Sequence, residues 1–144
     1  MVTLISNLHH TRKRNHLEVL RTLLGEANRI VICSGWLKTA GVQLLLPELE
    51  AAVARNVNVT VYSNKPPRKT EDETEEGAIL ALQKLGIEHI IVERQFYLHA
   101  KICYVETGQR FHRVIGSANI TIGGLRKNEE LPFCCPGRSL TISI

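Results

Sequence analysis

With 144 residues, 44% of them hydrophobic, the chain holds enough apolar material for one ordinary core and too little for two comfortable ones. Only 22% of the residues are charged, which excludes a solvated, low-complexity chain. The formal net charge of +4 favours an anionic partner without naming one.

The first residues show no basic stretch followed by an apolar one, so no leader is expected, and His9, His10, Arg12, Lys13, Arg14 and His16 form a basic cluster. Over 14–26, Leu17, Leu20 and Leu24 share one helical face with Val19 and Leu23 beside them, which predicts a helix. Residues 29–35 read as a buried strand. A second helix is predicted over 39–56 from Val42, Leu45, Leu46, Leu49 and Val53, with Pro47 marking either a kink or the true first turn. Residues 57–62 alternate as a second strand, and 64–70, with Pro66-Pro67 flanked by Lys65, Arg68 and Lys69, form a loop.

A third helix is predicted over 72–85, where Glu71, Asp72, Glu73, Glu75 and Glu76 suit the positive end of the dipole and Gly86 suits a C-terminal cap. Residues 87–92 are a third strand. Two strands then follow without room for a helix, 97–105 and 111–116, joined by a hairpin connection over 106–110. Residues 120–128, with Gly123-Gly124, read as an irregular loop, and 130–135 as a closing strand before a turn at Pro136-Gly137. This order implies one α/β layered domain over 1–144 with a mixed β-sheet, parallel in its first two-thirds and partly antiparallel after that. The end at Ile144 is shorter than a further closing strand and helix would need, so a truncated C-terminus, or a piece of a larger protein, is expected.

No segment has the apolar length to cross a bilayer, and a cytoplasmic protein without membrane contact is expected. Cys33 and Cys103 lie in apolar runs and Cys134 adjoins Cys135, without metal-ligand spacing. Reduced, mostly buried thiols follow, with no metal site and no cofactor.

Chemistry concentrates in the second half. On a strand over 97–105, Leu98, Ala100, Ile102 and Tyr104 share one face, expected to pack inward, while His99, Lys101 and Cys103 share the other. An imidazole and an ammonium on one face suit a phosphate held beside a nucleophile. After the next strand comes Gly116-Ser117-Ala118-Asn119, in which Asn119 can donate its amide to a phosphoryl oxygen and Ser117 a hydroxyl. His112, Arg113, His16 and His89, with Trp36 and Tyr62, carry no motif partner and read as structural residues, although Trp36, just beyond a strand end, is placed to line a cleft.

His99-Ala100-Lys101, Glu106 and Gly116-Ser117-Ala118-Asn119 resemble the HKD signature of the phospholipase D superfamily, and Cys33-Ser34-Gly35-Trp36 extends the likeness to its single-copy, Nuc-like, metal-independent endonuclease branch. One departure is Glu106, which stands where the family has aspartate. The resemblance implies an α-β-α sandwich, a central mixed sheet flanked by helices on both faces. It implies that His99 attacks phosphorus, that Lys101, Ser117 and Asn119 bind the phosphate, and that Glu130 accepts a hydrogen bond from His99 Nδ1, leaving Nε2 free. It also implies a phosphohistidine intermediate, with a second histidine protonating the leaving oxygen. Since the chain has one HxK and one GSxN, the second copy is expected from a homodimer sharing one active site, with DNA or another nucleic acid as substrate. Two other readings stay open: a non-catalytic nucleic-acid-binding module of a larger complex, and a lipid phosphodiesterase of the phospholipase D type.

Overall fold

The computed structural model describes residues 2–7, 15–66, 74–93, 95–127 and 132–138. After a two-residue strand β1 (Thr3–Leu4), helix α1 (His16–Glu26) starts where Asn15 Oδ1 accepts the Glu18 N–H at 2.9 Å, an N-cap bond that satisfies one orphan donor. Its buried residues, Leu17, Leu20, Leu23 and Leu24, follow the three-and-four spacing of one helical face. Strand β2 (Arg29–Ser34) alternates as predicted, burying Ile30, Ile32 and Ser34.

Helix α2 (Thr39–Ala54) runs through Pro47, so the proline does not mark its first turn. Strand β3 (Asn58–Asn64) follows, then helix α3 (Glu76–Lys84) and strand β4 (Glu88–Val92). Both α2 and α3 end on a residue in the left-handed region, Asn56 at φ 60° and Gly86 at φ 71°. Behind them the N–H groups of Val57 and Ile87 reach back to the carbonyls of Ala52 and Leu82 at 3.0 and 3.2 Å, satisfying helix-end acceptors. Among the described residues nothing stands within 4 Å of a Cβ built on Gly86, so Gly86→Ala meets only the backbone penalty. A loss of about 1 kcal/mol in urea unfolding is expected, and an unchanged midpoint would contradict the strained-cap account.

Helix α3 starts at Glu76 rather than at 72, and residues 71–73 lie outside the described ones. Thr74 and Glu75 are engaged elsewhere. Thr74 Oγ1 donates to the Gly35 carbonyl at 3.2 Å, and Glu75 Oε2 accepts the Thr39 N–H at 2.7 Å. That bond, aided by Lys38, lowers the Glu75 carboxyl below its ordinary value. Helix α2 has no capping side chain of its own, so an acid expected to serve α3 caps α2 instead.

Strands β5 (Lys101–Thr107) and β6 (Arg110–Ile115) form the predicted hairpin, closed by Gly108-Gln109 with Gly108 at φ 60°. Two expectations about β5 change. Residues 97–100 precede the strand rather than form its start, and the inward face is the one carrying Cys103 and Val105, while Ile102 and Tyr104 are half-buried on the other. Burial pushes the Cys103 thiol up to about 12.

The segment over 120–128, expected as an irregular loop, contains a π-helical turn (Gly123–Lys127) that buries Leu125 completely. The carbonyl of Gly124 accepts from Asn7 Nδ2 at 3.2 Å and lies 3.2 Å from Nδ1 of buried His16. Strand β7 (Phe133–Arg138) continues through Pro136 and Gly137, where a turn was expected. It pairs with β6 along its length but with β1 only at Phe133 and Cys134, so Pro136 sits where β7 has one described neighbour and a missing N–H is tolerated. A Cβ on Gly137 would collide with the Phe111 ring, which lies across it.

The result is a seven-stranded mixed sheet of order β1-β7-β6-β5-β2-β3-β4 flanked by helices, the α/β architecture the element order implies. The β2-β3 and β3-β4 pairs are parallel and the rest antiparallel. Helix α1 packs on α2, α2 on α3, and the π-helical turn on α1. This layer shares its core with Ile30, Ile32, Val59, Val61, Cys103 and Val105. Among the described residues, no helix is long and apolar enough to cross a membrane.

Candidate functional site

One end of the sheet gathers the carboxyl ends of β2 and β3, the start of β5 and the end of β6. Here β2 has a parallel neighbour on one side and an antiparallel one on the other, and crevices beyond strand ends at such changes of direction are where ligands bind in open α/β sheets. Ser34, the last residue of β2, pairs with Lys101, the first of β5. The N–H of Gly116 donates to the Lys101 carbonyl at 3.2 Å, bringing the GSxN segment beside the HxK segment. The cleft so formed has a volume of about 550 Å³, and His99, Lys101, Ser117 and Asn119 line it together with Trp36 and Tyr97.

Buried Ser34 organises the floor. Its Oγ donates to the Trp36 carbonyl at 2.7 Å and accepts the N–H of buried Ile120 at 3.0 Å. Asn119 Oδ1 accepts the Trp36 N–H at 3.2 Å, and with its oxygen so engaged the amide's donor end is the one left for a ligand. Ser34→Ala strands the Ile120 N–H in a buried place, for which a loss of about 1–3 kcal/mol is expected. Urea unfolding reads that loss, and a stability unchanged within error would mean the loop finds another acceptor.

The wall holding His99 is pinned from behind. Asn64, buried at the end of β3, donates through Nδ2 to the Leu98 carbonyl at 2.9 Å and accepts the Leu98 N–H at 2.8 Å. Gly35 lies under the same segment, where a Cβ would stand 2.5 Å from the Leu98 carbonyl oxygen. His99 itself is exposed. Lys101 Nζ donates to the His99 carbonyl at 2.7 Å and stands 3.2 Å from His99 Nδ1. An ammonium can only donate, so in this arrangement Nδ1 is the acceptor and a neutral ring carries its proton on Nε2.

Of the candidate residues, His99, Lys101, Ser117 and Asn119 meet in this one cleft. Glu130 lies outside the described residues. Glu106 is at the far end of β5, 3.6 Å from Arg29 and hydrogen-bonded by Tyr104 at 2.8 Å. His112 pairs opposite Val105, and Arg113 stacks on Phe111 at 4.5 Å, so neither enters the cleft. His89 bonds Ser63 Oγ at 2.9 Å, and burial lowers its pKa. Ser34 stands out in the sequence only as part of Cys33-Ser34-Gly35-Trp36, and Asn64 and Tyr97 do not stand out. The signal available for the first two was a polar residue closing an apolar strand. Among the described residues, no three His, Cys, Asp or Glu side chains are grouped to hold a metal ion.

Over residues 20–142 the sequence matches the family model described as "Cardiolipin synthase, PLD-like domain". No curated protein matches it in sequence. Solved structures match in fold. NucT from Helicobacter pylori is 13% identical with a TM-score of 0.65, covering 93% of this chain and 84% of that one. Polyphosphate kinase from Porphyromonas gingivalis is 16% identical with a TM-score of 0.65, over 93% of this chain and 23% of that one. Yeast tyrosyl-DNA phosphodiesterase is 15% identical with a TM-score of 0.59, over 93% of this chain and 31% of that one.

Proposed function

The chain belongs to the phospholipase D-like domain family, and from that membership we propose that it is a metal-independent phosphodiesterase acting on nucleic acid, foremost a DNA endonuclease. The observation that carries this reading is the convergence of His99, Lys101, Ser117 and Asn119 in one open cleft. Residues 1–144 are read as one such domain.

His99 Nε2 attacks phosphorus, forming an N–P bond as the bond to the leaving oxygen breaks, and a second histidine gives that oxygen its proton. The same second histidine then takes a proton from water, whose oxygen displaces His99 and releases the phosphate monoester. Lys101 and Asn119 hold the phosphoryl oxygens as charge shifts onto them, with Ser117 as a further donor. The neutral tautomer with Nδ1 turned to Lys101 lacks the lone pair this attack needs. Phosphate recruits the Lys101 ammonium, and the vacated Nδ1 takes up the proton and donates it in a hydrogen bond to Glu130.

One HxK and one GSxN per chain supply one histidine of the two. The other comes from a second copy, in a two-fold homodimer with both His99 rings facing one phosphate. Nucleic acid is favoured by the net charge of +4 and by the likeness in fold to NucT and tyrosyl-DNA phosphodiesterase, the latter named for a DNA phosphodiester. A second reading, lipid phosphodiester chemistry, is favoured by the words cardiolipin synthase in the family description.

The test is cleavage of single-stranded and plasmid DNA in excess chelator, beside turnover of cardiolipin and phosphatidylcholine vesicles, with sedimentation of the same preparation. DNA cleavage by a dimer is expected. Turnover of lipid alone reverses the choice of substrate, tight DNA binding with no cleavage moves the chain to the non-catalytic reading, and a fully active monomer ends the shared-site proposal.

A further inference from the structure

Two exposed aromatic side chains stand together in the lining of the cleft, Trp36 and Tyr97, at 38% and 52% exposure. Apolar surface gathered at a cleft marks a binding site where the same residues scattered singly would not. Both are held in place. Trp36 Nε1 donates to the Tyr97 hydroxyl at 3.1 Å, which links a residue after β2 to one before β5. The Tyr97 ring stacks on the His99 imidazole with centroids 6.4 Å apart and 29° between planes. The backbone behind them is fixed by the Asn64 bonds to Leu98 and by the Trp36 N–H bond to Asn119. Flat apolar surface is therefore preorganised directly beside the phosphate-binding side chains.

We infer that this rim is a base-stacking platform, so that the strand the site takes is single-stranded nucleic acid with a nucleobase beside the bound phosphate stacked on Trp36 and Tyr97. The inference rests on the nucleic-acid reading above and narrows it. Every base presents a π-face, so aromatic stacking adds affinity without sequence preference. In a duplex those faces are occupied by neighbouring bases, and the platform meets only sugar and phosphate. A lipid phosphodiester carries no flat group for it either. The wall is well suited to mutation, because the bond from position 36 to Asn119 is made by the backbone and survives a change of side chain.

Trp36 is the only tryptophan in the chain, so its fluorescence reports on the platform alone. In His99→Ala protein, which cannot cut the strand, titration with a short oligothymidylate is expected to quench that emission. Binding should be about tenfold tighter than for an abasic strand of equal length, and tighter than for a duplex of that length. With a dye-labelled strand read by polarisation, Trp36→Ala and Tyr97→Ala should each weaken the base-bearing strand toward the abasic level, while Trp36→Phe keeps most of the preference. Equal affinity for base-bearing and abasic strands, or a preference for the duplex, overturns the inference. Because these readouts need no cleavage, they fail separately from the nuclease reading, which fails if the wild-type protein hydrolyses no nucleic-acid phosphodiester.

Discussion

Replacing His99 by alanine should lower the rate of phosphodiester hydrolysis about ten-thousand-fold, with the fold intact. The size follows from the proposed role: if His99 supplies the attacking nitrogen, its removal leaves no covalent route, only phosphate binding and charge stabilisation. The fold should survive because the ring is exposed and its contacts are with Lys101 and Tyr97, at the surface of the cleft. A second measurement separates loss of a nucleophile from loss of a binding group. Wild-type protein denatured in base during turnover, where an N–P bond persists, should gain the mass of a phosphoryl-nucleotide on the peptide carrying His99, and the variant should gain none. Retention of more than about a tenth of the rate, or the same adduct on another residue, would remove His99 from the nucleophile's place.

Gly41→Ala should lose about 2–3 kcal/mol of stability and, in the fraction still folded, about a hundredfold in kcat/KM. Gly41 lies in the first turn of α2, packed against the loop that carries Asn119. A Cβ there would be driven into the Ile120 carbonyl and would stand 2.7 Å from Thr121 Cα. Both neighbours are backbone, so no side-chain rotation relieves the clash. The Lys38 N–H already donates to that carbonyl at 3.1 Å, which ties the helix start to the loop. Pushing the loop away moves Asn119 out of its place beside Lys101 and His99, and for the proposed phosphate-binding role displacements of about an ångström are enough to lower rates a hundredfold. Gly25→Ala in α1 is the matched control, since no described residue stands within 4 Å of its Cβ and alanine favours the helix by about 0.5–1 kcal/mol. Urea unfolding of the two variants should therefore shift in opposite directions. Equal shifts would mean that the close approach of α2 to the Asn119 loop is not a constraint.

Such close approaches are invisible along the chain. Gly25, between Leu24 and Glu26, and Gly41, between Ala40 and Val42, both read as glycines inside a helix, yet a Cβ on Gly41 meets the loop that carries Asn119 and a Cβ on Gly25 meets no described residue. The same holds for acids ahead of a helix. Glu75 looks like the start of α3 and caps α2, because the Thr39 N–H it meets is brought to it by the sheet order.

Local pattern was sufficient wherever one element decides its own form. The leucines at 17, 20 and 24 mark a helix because a helix repeats every 3.6 residues, and the hairpin at Gly108 follows from a turn that needs a positive φ. The spacing of His99, Lys101, Ser117 and Asn119 belongs to the same class, since it flanks one antiparallel hairpin, with His99 just before β5, Lys101 opening it, and Ser117 and Asn119 just after β6. Tertiary structure alone decided the rest. Alternation tells which residues of β5 share a face but not which face the helices cover, so Cys103 and Val105 went inward and Ile102 did not. Strand β7 continues through Pro136 because, among the described residues, it has a neighbour on only one side there, which no local signal reports. The rim of the cleft, Trp36 against Tyr97 over Asn64 and Leu98, joins residues from three separate stretches of chain. Sequence by itself determined the elements and the candidate side chains His99, Lys101, Ser117 and Asn119; the packing of one element on another decided which faces closed and what lines the cleft beside them.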